Sequence, residues 1–172
     1  MKSRVAPSGK EKVMRENDFI VSKTDTKGII TYGNRIFIEF SGYDESELIG
    51  TQHNIIRHPD MPRAVFKLLW DTIVQGKEIS AYVKNMAKDG SFYWVFANVT
   101  PDFDERGNIS GYFSVRRKPK ADAVAVVSGL YQAMLEAERT AGARDAIAAS
   151  TKILVNLLAE KNISYDELIF SL

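Results

Sequence analysis

Apolar and polar residues alternate in two short stretches near the start of the chain. The segment "DFIVSKTDTKGIITYGN" gives two β-rich runs separated by Asp25 and Gly28, a combination typical of a hairpin turn. The next segment, "NRIFIEFSGYDESELIG", changes to helical spacing, with Asp44 and Glu47 placed for a capping box and Gly50 for a helix end. The pattern therefore predicts an antiparallel hairpin followed by short helices.

The middle of the chain changes from a helical period to a period of two. Apolar residues recur at helical spacing from Met61 to Gly76, which predicts a third helix. Residues 79–118 then contain three strand-like runs joined by turns at residues 88–90 and 105–108. The order β-β-α-α-α-β-β-β predicts an α+β fold, with a five-stranded antiparallel sheet and helices across one face.

Two amphipathic helices are predicted after Pro119. Apolar residues form one stripe over residues 121–139 and another over residues 143–161. Ser164 and Glu167 have the spacing of a capping box for a last helical turn.

These patterns divide the chain into three predicted parts. Residues 1–15 are predicted to form a mobile N-terminal lead-in, residues 16–120 a domain built on the sheet, and residues 121–172 a C-terminal helical segment. The initiating methionine and the closing helices favour a whole protein over a fragment.

Composition excludes several classes of protein. The chain of 172 residues has no cysteine, which excludes disulfides, thiolate nucleophiles, cysteine-ligated zinc and flavin photosensors that work through a cysteinyl adduct. A net charge of +1 with no basic cluster argues against nucleic-acid binding. No run of apolar residues is long enough to span a membrane, so a cytoplasmic location is expected.

Three stretches of sequence resemble the PAS family of sensor domains. "GYDESELIG" and "KDGSFYW" resemble features that many PAS domains share, whereas "NIIRHPDMP" at residues 54–62 is similar to the narrower group of FAD-binding PAS domains of the bacterial aerotaxis-receptor type. The resemblance covers residues 17–135, and it implies that residues 16–120 are a PAS sensor domain and that residues 121–172 serve output or docking. It implies non-covalent FAD, held between sheet and helices, whose redox state reports electron-transport activity.

The residue types in this motif suit FAD. An arginine fork such as Arg57 can pair with diphosphate oxygens, His58 can donate a hydrogen bond, and Trp70 offers a stacking surface. Asparagine amides can donate and accept along the pyrimidine edge of the flavin. The predicted cofactor-binding residues are Asn34, His53, Asn54, Arg57, His58, Asp60, Phe66, Trp70, Asn85, Trp94 and Asn98.

Structural roles are open for several of these residues. Asp60 can serve as the N-cap of the helix that begins near Met61, and the two tryptophans can belong to the core. Either histidine can be a loop residue bonded to backbone. Arg116 and Arg117 are assigned to a solvated strand end.

Partners and rival functions follow from the same resemblance. The resemblance implies that the chain passes its state to a membrane-bound chemoreceptor or another signalling protein, with a homodimer as a further option and membrane association only through a partner. A haem-binding PAS oxygen sensor, with His53 or His58 as axial ligand, is one alternative. A ligand-free PAS dimerisation module is the other. Because no enzyme or metal-binding motif occurs, no catalytic activity and no metal are expected.

Overall fold

The computed structural model describes residues 5–172, so residues 1–4 of the predicted lead-in lie outside the described residues. The strands are β1 (Phe19–Thr24), β2 (Ile30–Gly33), β3 (Ile79–Met86), β4 (Phe92–Phe103) and β5 (Ile109–Arg117). The helices are α1 (Arg35–Ser41), α2 (Glu45–Leu48), α3 (Arg63–Ile73), α4 (Ala121–Lys161) and α5 (Tyr165–Ser171). A 3-10 helix spans His53–Ile56.

The five strands form one antiparallel sheet in the order β2-β1-β5-β4-β3. The predicted five-stranded antiparallel sheet is therefore confirmed. The first hairpin turns through Asp25, which accepts the N–H of Lys27 and of Ile29, and through Gly28, whose φ of 79° favours glycine. The first and the last strand in chain order, β1 and β5, are neighbours at the centre of the sheet.

Strand register decides which side chains share a face of the sheet, because directly opposed residues point the same way. On β5, Ser114 is opposite Ser22 of β1, and Arg116 is opposite Ala97 of β4. These residues belong to the inner face, which we define as the face on which α1 packs. Phe40 of α1 meets Tyr93 of that face, with ring centroids 5.5 Å apart.

The chain ahead of β1 is paired rather than detached. The N–H of Ser8 donates to Gly90 at 2.8 Å, and Glu11 forms a parallel bridge with Phe92 at the start of β4. Met14 is buried, with 2% of its surface exposed. The prediction of a mobile lead-in therefore does not describe residues 8–12, because their backbone hydrogen bonds hold them against the start of β4 and the turn before it.

The chain divides into two compact units. The first comprises Met1–His58 and Thr72–Lys118, and the second comprises Pro59–Asp71 and Pro119–Leu172. The second unit resumes at Pro119, and the sequence did not indicate that Pro59–Asp71 belongs to the same unit as the C-terminal helices.

The second unit contains the helices predicted after Pro119. Helix α4 is interrupted at Gly142, whose φ of 75° and ψ of 172° are not helical, so the two predicted helices form its two arms. The capping box of Ser164 and Glu167 is present at α5. An apolar cavity of about 260 Å³ lies within this unit, and its lining includes Val65, Leu130, Met134, Leu157 and Leu168.

Candidate functional site

A buried polar cluster occupies the inner face of the sheet. Arg116 of β5 is 4% exposed, and its Nη2 donates to Ser22 Oγ at 2.6 Å and to His53 Nε2 at 2.7 Å. Ser22 Oγ lies 3.0 Å from the same ring nitrogen. The cluster joins β1, β5 and the 3-10 helix at the start of the predicted motif. We call these three residues the Arg116 cluster.

The hydrogen bonds fix the protonation of His53. Because the Arg116 guanidinium can only donate, His53 Nε2 must accept, and the ring is neutral with its proton on Nδ1. Burial, followed by the positive charge of Arg116, lowers the pKa of His53 from 6.5 to about 3. The ring of His53 also stacks on Phe37, with centroids 5.8 Å apart.

The charge of Arg116 has no counter-ion in its surroundings. Burial lowers the pKa of Arg116 to about 10, so the guanidinium stays protonated near neutral pH. No carboxylate pairs with it among residues 5–172, and its cationic carbon lies 5.4 Å from the centre of the Phe37 ring. A buried charge without a partner is costly, so an anionic or electron-rich ligand would suit this position.

Three buried polar atoms on the inner face lack a hydrogen-bond partner within the described part of the chain. They are Arg116 Nη1, Tyr93 Oη and Ser114 Oγ. Burial raises the pKa of Tyr93, so its hydroxyl keeps its proton and can donate. Buried polar groups are nearly always satisfied in folded proteins. These donors therefore fit a bound group that presents hydrogen-bond acceptors.

Asn85 extends this polar row across the sheet. It is 4% exposed and stands directly opposite Tyr93 in the ladder between β3 and β4. The amide can both donate and accept, so of the three predicted asparagines Asn85 is the one placed to meet a ligand on the inner face.

Asn34 has a structural role at the start of α1. Its Oδ1 accepts the N–H groups of Val21 and Phe37, each at 3.0 Å, and its amide donates to the Phe19 carbonyl at 2.7 Å. This arrangement caps α1 and fastens it to β1. A contact of Asn34 with a cofactor stays a prediction.

Trp94 and Asn98 lie on the other face of the sheet. Both alternate with Tyr93 and Ala97 along β4, and Trp94 is directly opposite Lys84. The Asn98 amide donates to Glu78 and to Ser80, at 3.2 Å in each case. Strand alternation therefore does not bring these two residues together with His53 and Asn85, and a contact of either with a cofactor stays a prediction.

The predicted motif is divided between the two units. In the first unit, Asn54 is exposed on the 3-10 helix, and Arg57 forms a backbone bridge to Asn85 at the edge of β3. The ring of His58 is buried edge-on against Phe92, with centroids 6.0 Å apart. The motif backbone is therefore held to the sheet edge beside Asn85.

In the second unit, α3 begins at Arg63 rather than at Met61. The first N–H of the helix donates to Glu138, so the helix begins two residues later than the position that Asp60 was predicted to cap. Phe66 and Trp70 lie on this helix four residues apart, hence on one side of it. Trp70 is 37% exposed.

Arg116 is the central residue that sequence reasoning missed. The assignment of Arg116 to a solvated strand end is wrong, whereas Arg117 is exposed as predicted. The available signal was the alternation along β5, in which Tyr112, Ser114 and Arg116 form one set and Phe113, Val115 and Arg117 form the other. Both sets mix polar and apolar residues, so the sequence alone did not tell which set points inward.

The neutral state of His53 predicts a pH dependence of stability. The unfolded chain binds a proton near pKa 6.5, whereas the folded ring stays neutral down to about 3, so stability is lost as pH falls below 6.5. When the pH is lowered from about 7 to about 5, the free energy of unfolding of the ligand-free wild type should fall. That fall should exceed the fall in His53→Gln by up to about 2 kcal/mol. Urea titrations at both pH values measure the free energy of unfolding. An equal fall between the two pH values in the wild type and in His53→Gln would contradict the prediction.

Comparisons with known proteins agree with this architecture. The profile of the family described as PAS fold matches residues 30–116. The chain is 43% identical over 127 residues to the aerotaxis receptor of Escherichia coli (strain K12), covering 74% of this chain and 25% of the receptor. It is 28% identical over 97 residues to the nitrogen fixation regulatory protein of Klebsiella pneumoniae, covering 56% of this chain and 20% of that protein. It thus spans about a quarter or less of these relatives.

Solved structures give the same fold. The light-state structure of the blue-light photoreceptor Aureochrome1 LOV superimposes with a TM-score of 0.56 at 27% identity, covering 67% of this chain and 91% of that one. Within residues 5–172, no helix is long and apolar enough to cross a membrane, and no cluster of acidic or histidine side chains could hold a metal ion.

Proposed function

The chain belongs to the PAS fold family, and from that membership we propose that it is a redox sensor that binds FAD non-covalently in aerotaxis-type signalling. The similarity to the aerotaxis receptor supports this proposal. The observation that carries it is the uncompensated Arg116 guanidinium beside two unpartnered hydroxyls on the inner face. When bound, FAD supplies a reversible redox couple whose reduced form can carry added negative charge.

The residues of the inner face have distinct roles in this proposal. Arg116 Nη1 and the Tyr93 hydroxyl donate to acceptor atoms of the bound ring, and the Asn85 amide pairs with its polar edge. The positive charge of Arg116 favours a ring that gains negative charge. His53 Nε2 accepts hydrogen bonds from both Arg116 and Ser22. In this proposal His53 therefore holds Arg116 in place and does not itself need to touch the cofactor.

The Arg116 cluster argues against the two alternatives. Haem ligation by His53 Nε2 would require breaking its bonds to Arg116 and Ser22, so that nitrogen is poorly suited to be an axial ligand. A ligand-free dimerisation module would keep three buried polar atoms unsatisfied, at a cost of roughly 1–3 kcal/mol for each. Both observations favour a ligand that is rich in acceptors.

Arg57 is the residue that we assign to the diphosphate, together with His58. A guanidinium that pairs with phosphate oxygens forms charge-assisted hydrogen bonds, and losing them costs roughly ten- to a hundredfold in affinity. Arg57→Ala should therefore weaken FAD binding by roughly that factor and should affect FMN, which has one phosphate, much less.

Titration of purified protein with FAD, FMN and haemin tests the function. Flavin fluorescence and the visible spectrum report binding, and Arg63→Ala, a change of an exposed arginine on α3, serves as the control. Preferred binding of FAD, lost selectively in Arg57→Ala, supports the proposal. Binding of haemin with a Soret band, or no affinity for any flavin, would contradict it.

We propose further that residues 121–172 are the docking segment for the signalling partner. The segment exposes Val126, Ile147, Val155 and Phe170, with 39% to 63% of each residue accessible, which suits an interaction surface. Only residues 118–120 separate β5 from α4, so Arg116 lies five residues before the first residue of the segment. The partner in this proposal is a membrane-bound chemoreceptor, which the chain binds on its cytoplasmic side. A second copy of the chain can occupy the same surface.

A further inference from the structure

The two arms of helix α4 fold back on one another. The first arm comprises residues 121–141 and the second comprises residues 143–161, with Gly142 between them. Glu138 of the first arm accepts the hydroxyl of Ser150 of the second at 2.7 Å, and both residues are buried. The arms therefore meet on the inner side of the break.

Apolar contacts continue along both arms away from the break. The cavity of the second unit is lined from the first arm by Leu130 and Met134, and from the second arm by Leu154 and Leu157. Met134 has no exposed surface, and Leu154 is 8% exposed. Without the second arm, this surface of the first arm would face water, so it needs a cover of matching shape.

Gly142 holds the hairpin in a conformation that glycine alone adopts readily. Its φ of 75° and ψ of 172° lie in a region that costs other residues strain. It is the one residue of α4 with non-helical angles, and it is exposed. A Cβ built on Gly142 would meet no atom within 4 Å. The backbone conformation, and not the space around it, is therefore what requires glycine here.

The sequence around the break favours a straight helix. Residues 139–149 contain five alanines and no proline, and alanine is the strongest helix former. If Gly142 took helical angles, the 41 residues of α4 would form one rod about 60 Å long. The second arm would then point away from the first arm of its own chain, and both would need a new partner for their apolar surfaces.

We propose that a second copy of the chain docks on the first arm of α4 by exchanging its second arm. In this arm-exchanged dimer α4 is straight in both copies, and residues 143–172 of each copy take the place that they hold in the hairpin. Glu138 of one copy accepts the hydroxyl of Ser150 from its partner. Every contact between the arms is thus remade, while the break at Gly142 is removed.

The balance between hairpin and dimer depends on protein concentration. Exchange of an identical element is a low-cost route to a dimer, and a short hinge favours it. Association costs translational and rotational freedom, so the hairpin prevails in dilute solution and the arm-exchanged dimer in concentrated solution. This inference does not depend on the binding of FAD.

Gly142→Ala should shift the balance strongly to the dimer. Alanine is strained in the hairpin and unstrained in the straight helix, and each dimer relieves the strain twice. The dimerisation constant should rise roughly thirty- to ten-thousand-fold. Gly129→Ala is the matched control, because Gly129 lies in the helical part of the first arm with equally open space around it. Size-exclusion chromatography with light scattering over a concentration series measures the constant.

Cross-linking shows whether a dimer has exchanged its arms. The chain has no cysteine, so Glu138→Cys and Ser150→Cys can be made as separate single variants, mixed at high concentration and treated with a mild oxidant. Arm exchange brings the two introduced thiols together across copies and should give a linked heterodimer. Glu136→Cys replaces Glu138→Cys in the control mixture, because Glu136 is an exposed residue of the same arm and should give no link.

Three results would overturn the inference. They are a Gly142→Ala protein that dimerises no more than Gly129→Ala, a dimer whose thiols at positions 138 and 150 do not link, and a wild-type background that gives no linked heterodimer at high concentration. If Gly142→Ala does not fold, insertion of Gly-Ser-Gly after Gly142 decides instead. A longer hinge relaxes the hairpin, so the dimer should be lost, and an unchanged dimer fraction would contradict arm exchange.

Discussion

Arg116→Met should stabilise the ligand-free protein and at the same time weaken FAD binding. The guanidinium is buried without a counter-ion, and replacing a buried charge by an apolar side chain of similar size often stabilises a fold. We expect the free energy of unfolding to rise by about 1–3 kcal/mol. We expect FAD affinity to fall by roughly ten- to a hundredfold, the value of a charge-assisted hydrogen bond.

Chemical denaturation of ligand-free protein and FAD titration measure the two effects separately. Ser22 still donates to His53 in the variant, so the loss is confined to the donors of Arg116. Arg117→Met is the matched control, because Arg117 is the exposed neighbour whose guanidinium lies over Phe96 on the other face. A destabilised Arg116→Met protein with full FAD affinity would show that Arg116 supports the fold and not the ligand.

Reduction of the FAD-loaded protein should change hydrogen exchange over residues 121–172. Asn85 and Arg116 would re-pair when the charge of the bound ring changes, and Arg116 lies five residues before the first residue of α4. One or two re-formed hydrogen bonds supply about 1–3 kcal/mol of differential energy, which corresponds to roughly five- to 150-fold in protection.

Exchange followed on oxidised and dithionite-reduced protein gives the comparison. The same pair of measurements on Arg116→Met controls for effects of the reductant, because its response should be much smaller. Identical protection throughout residues 121–172 in the two wild-type states would contradict the assignment of this segment to output.

The sheet and the helix ends could be predicted because their signals are local. Hairpin turns at Gly28 and Gly90 and the capping boxes at Asp44 and Ser164 depend on residues a few positions apart. The break at Gly142 also follows from a local interruption of two apolar stripes. These features needed no knowledge of long-range pairing.

The centre of the site could not be predicted because it depends on pairing across the chain. Ser22, His53 and Arg116 meet only through the register of β1 with β5, which the sequence does not encode locally. The same register separates Trp94 and Asn98 from the inner face. The cofactor role of the motif at residues 54–62 stays a prediction, whereas the assignment of Arg116 to a solvated strand end is wrong because that residue is buried.

Glu138 shows a signal that was present and overlooked. A carboxylate four residues after Met134 continues the apolar stripe of the first arm, and a polar residue in such a position usually has a specific buried partner. The identity of that partner, the first N–H of α3, again depends on a contact between distant segments.

The proposal that this chain is an FAD-based sensor is tested most directly by the flavin that the purified protein carries. The account predicts a yellow protein with paired absorption bands in the blue and near ultraviolet, and release of FAD rather than FMN on denaturation. A Soret band, release of FMN alone, or a colourless protein that takes up no added FAD would contradict it.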